Sequence, residues 1–116
     1  METFRFRNFQ VYKDAKGFNV KIFRVSKSFA LELRSQIVRS ALSIVLNIAE
    51  GSAKKSDKDF NRYIENALGS VNETVAALEV VLDIELISLD LFSELLTEAE
   101  AIAKQLGGLS KKLKSG

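Results

Sequence analysis

The 116-residue chain contains no cysteine, histidine, proline or tryptophan, and a single methionine. Without Cys no disulfide can form. Without His or Cys there is no Ser-His-Asp or Cys-His catalytic unit, no His or Cys zinc site and no haem held by either. Ordinary usage of about 5% would supply five or six prolines, so their absence suits long helices that tolerate no interior breaker. Long apolar runs are missing too. The most apolar stretch, residues 37–49, is broken by Arg39, Ser40, Ser43 and Asn47, whereas a membrane span needs about 20 predominantly apolar residues. The start, with Glu2, Arg5 and Arg7 among Phe4, Phe6 and Phe9, lacks the apolar core of a signal peptide. Cytoplasm is the expected location, with no membrane partner. What remains is 47% hydrophobic and 28% charged, the composition of one soluble helical domain.

The net charge of +2 is too small to name a partner, but its distribution is uneven. Residues 1–58 hold twelve Lys/Arg and five Asp/Glu, net +7. Residues 59–103 hold only Arg62 against ten acids, net −9, and the segment from Lys104 onward returns to +4. The basic segments could meet phosphates, or they could face the acidic third helix of the same or a neighbouring chain.

Four periodic segments follow. Val11, Ala15, Phe18, Ile22, Val25 and Phe29 are spaced 4, 3, 4, 3, 4, which predicts a helix over about 9–27 with one apolar stripe. Over 32–50 the apolar residues cover most of the circumference. Gln36, Arg39, Ser40, Ser43, Asn47 and Glu50 share about 100° of arc and leave some 260° apolar. So broad an apolar perimeter predicts that a second subunit covers part of it. Ser40 and Ser43 are small enough for close helix approach. Gly51 reads as a left-handed cap. Ser56, with Asp57 and Asp59 behind it, opens a third helix over about 57–87, roughly 45 Å long, with Gly69-Ser70 making room for a neighbour. Ser88 or Asp90 starts a fourth, about 90–106, which Gly107-Gly108 ends, leaving a flexible tail at 109–116. Short connections between the stripes predict an all-α antiparallel up-and-down four-helix bundle spanning residues 1–116.

The run Ser35 to Gly51, above all Asn47-Ile48-Ala49-Glu50-Gly51, resembles the signature of the four helix bundle proteins also called 23S rRNA intervening-sequence or S23-like proteins. Lys55-Ser56-Asp57-Lys58-Asp59-Phe60 and Ala67-Leu68-Gly69-Ser70-Val71-Asn72-Glu73 resemble further blocks of that family, and Phe9-Gln10-Val11-Tyr12 resembles its usual aromatic start. Val45 stands where many members carry proline. The resemblance implies a left-handed bundle assembling into a ring-shaped homo-oligomer, typically a pentamer, with no settled biochemical role. The family is also similar to the accessory variability protein of diversity-generating retroelements, a pentameric bundle that binds nucleic acid and a reverse transcriptase.

The expected function is therefore a non-catalytic oligomeric bundle associating with RNA or DNA, without cofactor or metal. Lys54, Lys55, Lys58 and Arg62, around the turn between the second and third helices, are the first candidate patch. Lys13, Lys16, Lys21, Arg24 and Lys27 are the second. No aromatic-basic motif such as an RNP block is present, which predicts backbone rather than base contact. The alternative is a protein–protein adaptor or scaffold that needs no nucleic acid. Catalysis or metal binding would have to rest on Glu65, Glu73, Glu79 or Asp83 alone. Gln36, Arg39, Ser43, Asn47, Glu50, Gly69, Ser70 and Glu73 are expected to be structural or interface residues. Arg39 is expected to offer its five donors to Glu65 or Glu73, while Asn47 and Glu50 tie down the helix end.

Overall fold

The computed structural model describes residues 3–115 as four helices: α1 (Gln10–Val25), α2 (Leu31–Ser52), α3 (Asp57–Asp83) and α4 (Leu89–Ser115). A 3₁₀ turn at Arg5–Asn8 precedes α1 and another at Ser26–Ser28 follows it, and there is no strand among the described residues. Consecutive helices pack against each other, α4 returns to α1, and the bundle measures 44 × 24 × 20 Å. Side-chain contacts fix the antiparallel register. Asp14 meets Gln105 and Lys21 meets Glu98 between α1 and α4, while Ser40 meets Thr74 and Ser43 meets Ser70 between α2 and α3.

The apolar stripes become the core. Val11, Ala15, Phe18 and Ile22 are buried from α1, Phe29 from the loop after it, and Ile37, Ala41, Ile44, Val45 and Ile48 from α2. Phe60, Ile64, Ala67, Val71, Leu78 and Val81 join from α3, and Phe92, Leu95, Ala99, Ile102 and Leu106 from α4. Each large side chain so buried contributes about 1.5–3 kcal/mol, which outweighs the weak helix propensity of the β-branched residues among them. Most of the apolar circumference of α2 is thus covered within the chain. Only Leu31, Leu42 and Leu46 of that helix remain substantially exposed, at 80%, 39% and 56%.

Helix ends depart from expectation at three places, each for a definable reason. Gly51 is not a left-handed cap. No glycine among the described residues has positive φ, and α2 continues to Ser52. A Cβ at Gly51 would lie 2.8 Å from Tyr63 Cβ and 2.9 Å from Phe60 Cδ1, so the missing side chain is what admits α3. The third helix stops at Asp83 rather than near Ile87 because Glu85 takes φ = 63°. The Leu86 N–H then donates to the Val81 carbonyl (3.0 Å) and the Glu85 N–H to the Leu82 carbonyl (2.9 Å), the Schellman closure. Conversely, α4 does not end at Gly107-Gly108. Both glycines point into open space while Leu109, Ser110 and Leu113 carry the stripe onward, so the segment expected to be a flexible tail is helical to Ser115. Residue 116 lies outside the described residues. The helix starts are as read: the Ser56 hydroxyl accepts from the Asp59 N–H (3.1 Å), and Ser88, not Asp90, caps α4 by accepting from the Leu91 N–H (3.1 Å).

Replacing Gly51 by Ala should destabilise the fold by about 1–3 kcal/mol through overpacking. Gly17→Ala, where a Cβ meets nothing within 4 Å, should stabilise it by about 0.5–1 kcal/mol. Opposite shifts in the urea midpoint check the pair. Glu85→Gly should raise stability by about 1 kcal/mol, because an L side chain in the left-handed region costs that much. An unchanged midpoint would show that the turn is not strained.

Candidate nucleic-acid interface

The register places Gly17, Ser40, Thr74 and Ile102 near the middle of the bundle, as the Asp14–Gln105, Lys21–Glu98, Ser40–Thr74 and Phe23–Arg34 contacts require. On one side of that plane lie residues 3–17, 40–73 and 103–115, with twelve Lys/Arg against six Asp/Glu, net +6. On the other lie residues 18–39 and 74–102, with five Lys/Arg against eight Asp/Glu, net −3. The imbalance along the sequence is therefore folded into one between the two ends of the bundle, a basic pole and an acidic pole.

The first candidate patch is at the basic pole. Lys55 and Lys58 are exposed in and beside the α2–α3 turn. Lys54 is half-buried, its ammonium 5.1 Å from the centre of the Tyr63 ring. The Arg62 guanidinium lies 5.7 Å from the same ring and pairs with Asp59 at 3.5 Å. The second candidate patch is split. Lys13 and Lys16 belong to the basic pole, whereas Lys21, Arg24 and Lys27 lie on the acidic side. The Lys21 ammonium donates to Glu98 at 2.6 Å and lies 4.0 Å from Glu94. The hydrogen bond to Glu98 holds the Lys21 pKa above its ordinary value. At the basic pole the ion pairs among the described residues are Arg62–Asp59 and Lys114–Glu65 (3.7 Å). Most of the positive charge there has no carboxylate against it.

The polar strip of α2 divides. Ser40 and Ser43 face α3: the Ser70 hydroxyl donates to Ser43 Oγ (2.9 Å), and the Thr74 hydroxyl lies 2.8 Å from both Ser40 Oγ and the Ser70 carbonyl, donating to one at a time. Asn47 Nδ2 donates back to the Ser43 carbonyl (2.9 Å) and hydroxyl (3.0 Å). Gln36, Arg39 and Glu50 are exposed on the other flank, and Gly69 and Glu73 are exposed on α3. The expected pairing of Arg39 with Glu65 or Glu73 does not occur: Glu65 is taken by Lys114, and Arg39 has no ion pair among the described residues. Nor does Glu50 tie down the helix end. Arg5 does that, donating from Nε (3.0 Å) and Nη2 (2.8 Å) to the Ser52 carbonyl while its guanidinium sits 5.4 Å from the Phe60 ring centre. Arg39, Leu42, Ser43, Leu46, Asn47, Glu50 and Tyr63 instead line a shallow groove of about 340 Å³.

One element went unread in the sequence. Phe6 packs edge-on to Tyr12 with centroids 4.8 Å apart, Phe4 lies 6.3 Å from Phe6, and the Lys16 ammonium is 5.8 Å from the Tyr12 ring centre. These side chains form an aromatic-basic cluster, although no RNP-type block is present in the sequence. The alternation Phe4-Arg5-Phe6-Arg7 with Phe9 and Tyr12 behind it was the available signal. Glu65, Glu73, Glu79 and Asp83 are each exposed, and no group of three or more Asp/Glu among the described residues is placed to hold a metal ion.

The family model for the 23S rRNA-intervening sequence protein matches residues 7–108. The chain belongs to that family. A crystal structure from Bacteroides thetaiotaomicron, described as a protein of unknown function from the S23 ribosomal protein family, superposes with a TM-score of 0.81 at 29% identity, covering 87% of this chain and 98% of that one. No curated protein matches the sequence. In this member of the 23S rRNA-intervening sequence family, the Ser35–Gly51 run supplies the α2–α3 seam with one flank and the exposed groove with the other. No helix among the described residues is long and apolar enough to cross a membrane.

Because Arg39 has no carboxylate partner, Arg39→Leu should leave thermal melting of the isolated chain within ~0.5 kcal/mol of the parent. Ser43→Val, which takes the acceptor from the Ser70 hydroxyl and leaves Asn47 Nδ2 only its bond to the residue-43 carbonyl, should cost about 1 kcal/mol. Denaturation of the two variants side by side separates exposed flank from seam.

Proposed function

We infer that this protein is a non-catalytic, cytoplasmic, self-assembling bundle that binds RNA or DNA through phosphate contacts at its basic pole. The observation that carries this reading is the gathering of twelve Lys/Arg against six acids at one end, with two ion pairs among them. Lys55 and Lys58 are exposed at the turn there with Lys54 half-buried beside them, and lysines so placed release counterions when they neutralise phosphates. The exposed Leu42 and Leu46, flanked by Arg39 and Glu50, support assembly: apolar side chains side by side on an exposed helix face gain by being covered by another copy. A ring, with the pentamer that the sequence resemblance implies, would repeat each basic pole and raise affinity through multivalency.

The same groove is also what a protein adaptor would use, its Arg39 and Glu50 setting specificity at the rim. A pull-down that recovers one protein partner equally before and after nuclease treatment would favour that second reading.

A mobility-shift titration with structured RNA tests the first. Binding should be detectable at low salt and weaken steeply as salt is added. The triple variant Lys54→Glu/Lys55→Glu/Lys58→Glu should reduce the slope of log K against log salt by roughly 2–3. Binding that is absent at low salt, or unchanged in the triple variant, rejects the assignment.

A further inference from the structure

The basic pole carries a second feature that phosphate contact alone does not require. Phe4, Phe6, Arg7, Tyr12, Lys13 and Lys16 line an open groove of about 600 Å³, within the range of ordinary small-molecule sites. Every charged residue in that lining is basic. Of the acids nearby in sequence, Glu2 lies outside the described residues and Asp14 is held by the amides of Gln10 (2.8 Å) and Gln105 (2.8 Å). Phe6 and Tyr12 brace each other edge to face, and Phe4, 57% exposed, stands outermost with no partner beyond Phe6 among the described residues. The 3₁₀ turn that carries Phe6 and follows Phe4 is anchored at both sides: Arg5 binds the end of α2, and Phe9 stacks on Phe60 with centroids 6.4 Å apart and planes 17° apart.

We propose that this groove is a stacking site for an unpaired nucleotide, the base lying on Phe4 and the adjoining phosphates meeting Arg7, Lys13 and Lys16. An aromatic face beside three cations that have no ion pair among the described residues fits a base with its flanking phosphates better than either component alone: a duplex offers phosphates but hides its bases, whereas a single strand presents both. Stacking on an aromatic ring tolerates any base, so the site confers preference for single-stranded over duplex nucleic acid rather than for a sequence. Phe4 and Phe6 precede the residues 7–108 that match the family model, whereas Arg7, Tyr12, Lys13 and Lys16 fall within them. The inference rests on the nucleic-acid reading of the basic pole and adds to it the class of strand bound.

The test compares three probes on the full chain at low salt: a non-self-complementary RNA strand of about 16 nucleotides, the same strand in a duplex, and a strand of equal length and charge with abasic sites throughout. A DNA strand of the same sequence tells whether the 2′-hydroxyl matters. Phe4→Ala should lower affinity for the base-bearing single strand about 5- to 100-fold, to the level of the abasic strand, and leave the duplex unchanged. Phe4→Trp should keep the preference. Because the sequence has no other tryptophan, its emission reports on this site alone, and the base-bearing strand should quench it while the abasic strand does not. Lys13→Gln/Lys16→Gln should weaken all three probes. If base-bearing and abasic strands bind alike and Phe4→Ala changes neither, the stacking site is refuted while phosphate binding at the pole stands. If no polyanion binds at low salt, both readings fall.

Discussion

The close approach of α2 to α3 is the constraint from which the remaining architecture follows. Where two helices meet at 2.8–2.9 Å from a would-be Cβ, position 51 has room for hydrogen alone. Further along the seam the spacing is filled by hydroxyls that bond in pairs, Ser40 with Thr74, both shut away from water, and Ser43 with Ser70 in a partly exposed position. Those bonds are directional where the surrounding apolar contacts are not, so they select one register out of several that the stripes of Ile37, Ile44, Ile64 and Val71 would tolerate. With that register set, Phe60 lies beneath Gly51, Phe9 stacks on Phe60, and Arg5 reaches the last carbonyl of α2, that of Ser52. The amino-terminal aromatic segment is held against the bundle by the end of a seam that begins more than two helical turns away.

The sequence made the helices legible and their ends much less so. Stripes such as Phe60, Ile64, Ala67, Val71, Thr74, Leu78 and Val81 were readable because burial of many residues at one period overrides local preference. Glycine was ambiguous because its two uses look alike in a sequence. Gly51 suggested a cap but serves packing, and Gly107-Gly108 suggested a stop but sit on an exposed face of a helix whose Leu106, Leu109 and Leu113 hold it in place. The true left-handed residue, Glu85, carried no such cue, since what fixes it is the pair of Schellman hydrogen bonds and not its side chain.

The candidate site was legible in the same uneven way. Lys54, Lys55 and Lys58 could be placed at one turn from sequence spacing alone. The pole they belong to could not, because it is assembled from both ends of the chain and the middle, and needs the antiparallel register before Lys13 and Lys111 are seen to share one half of the bundle with Lys55. Arg39 shows the opposite error: its donors suggested a carboxylate across the interface, but the seam faces the hydroxyls and turns Arg39 outward beside Leu42 and Leu46.

That outward face bears on how the poles would combine. Leu42 and Leu46 lie on the flank of α2, on the basic side of the midplane, so copies associating through them would meet side by side. Two symmetries then have opposite electrostatic consequences. A two-fold axis perpendicular to the bundles would set each basic pole beside an acidic one and cancel the end-to-end charge difference, whereas a cyclic arrangement about an axis along the bundles would bring every basic pole to one rim. The second costs repulsion between like poles, but bundle centres 20–24 Å apart, by the transverse dimensions of the chain, are separated by more than two Debye lengths at ~8 Å each in physiological salt. Between bundle centres screening thus limits the repulsion, while a polyanion lying across the rim would touch several poles at contact distance, where it is screened least. The charge distribution that is nearly neutral in its effect on assembly is for that reason strongly favourable for a phosphate chain once a cyclic assembly exists.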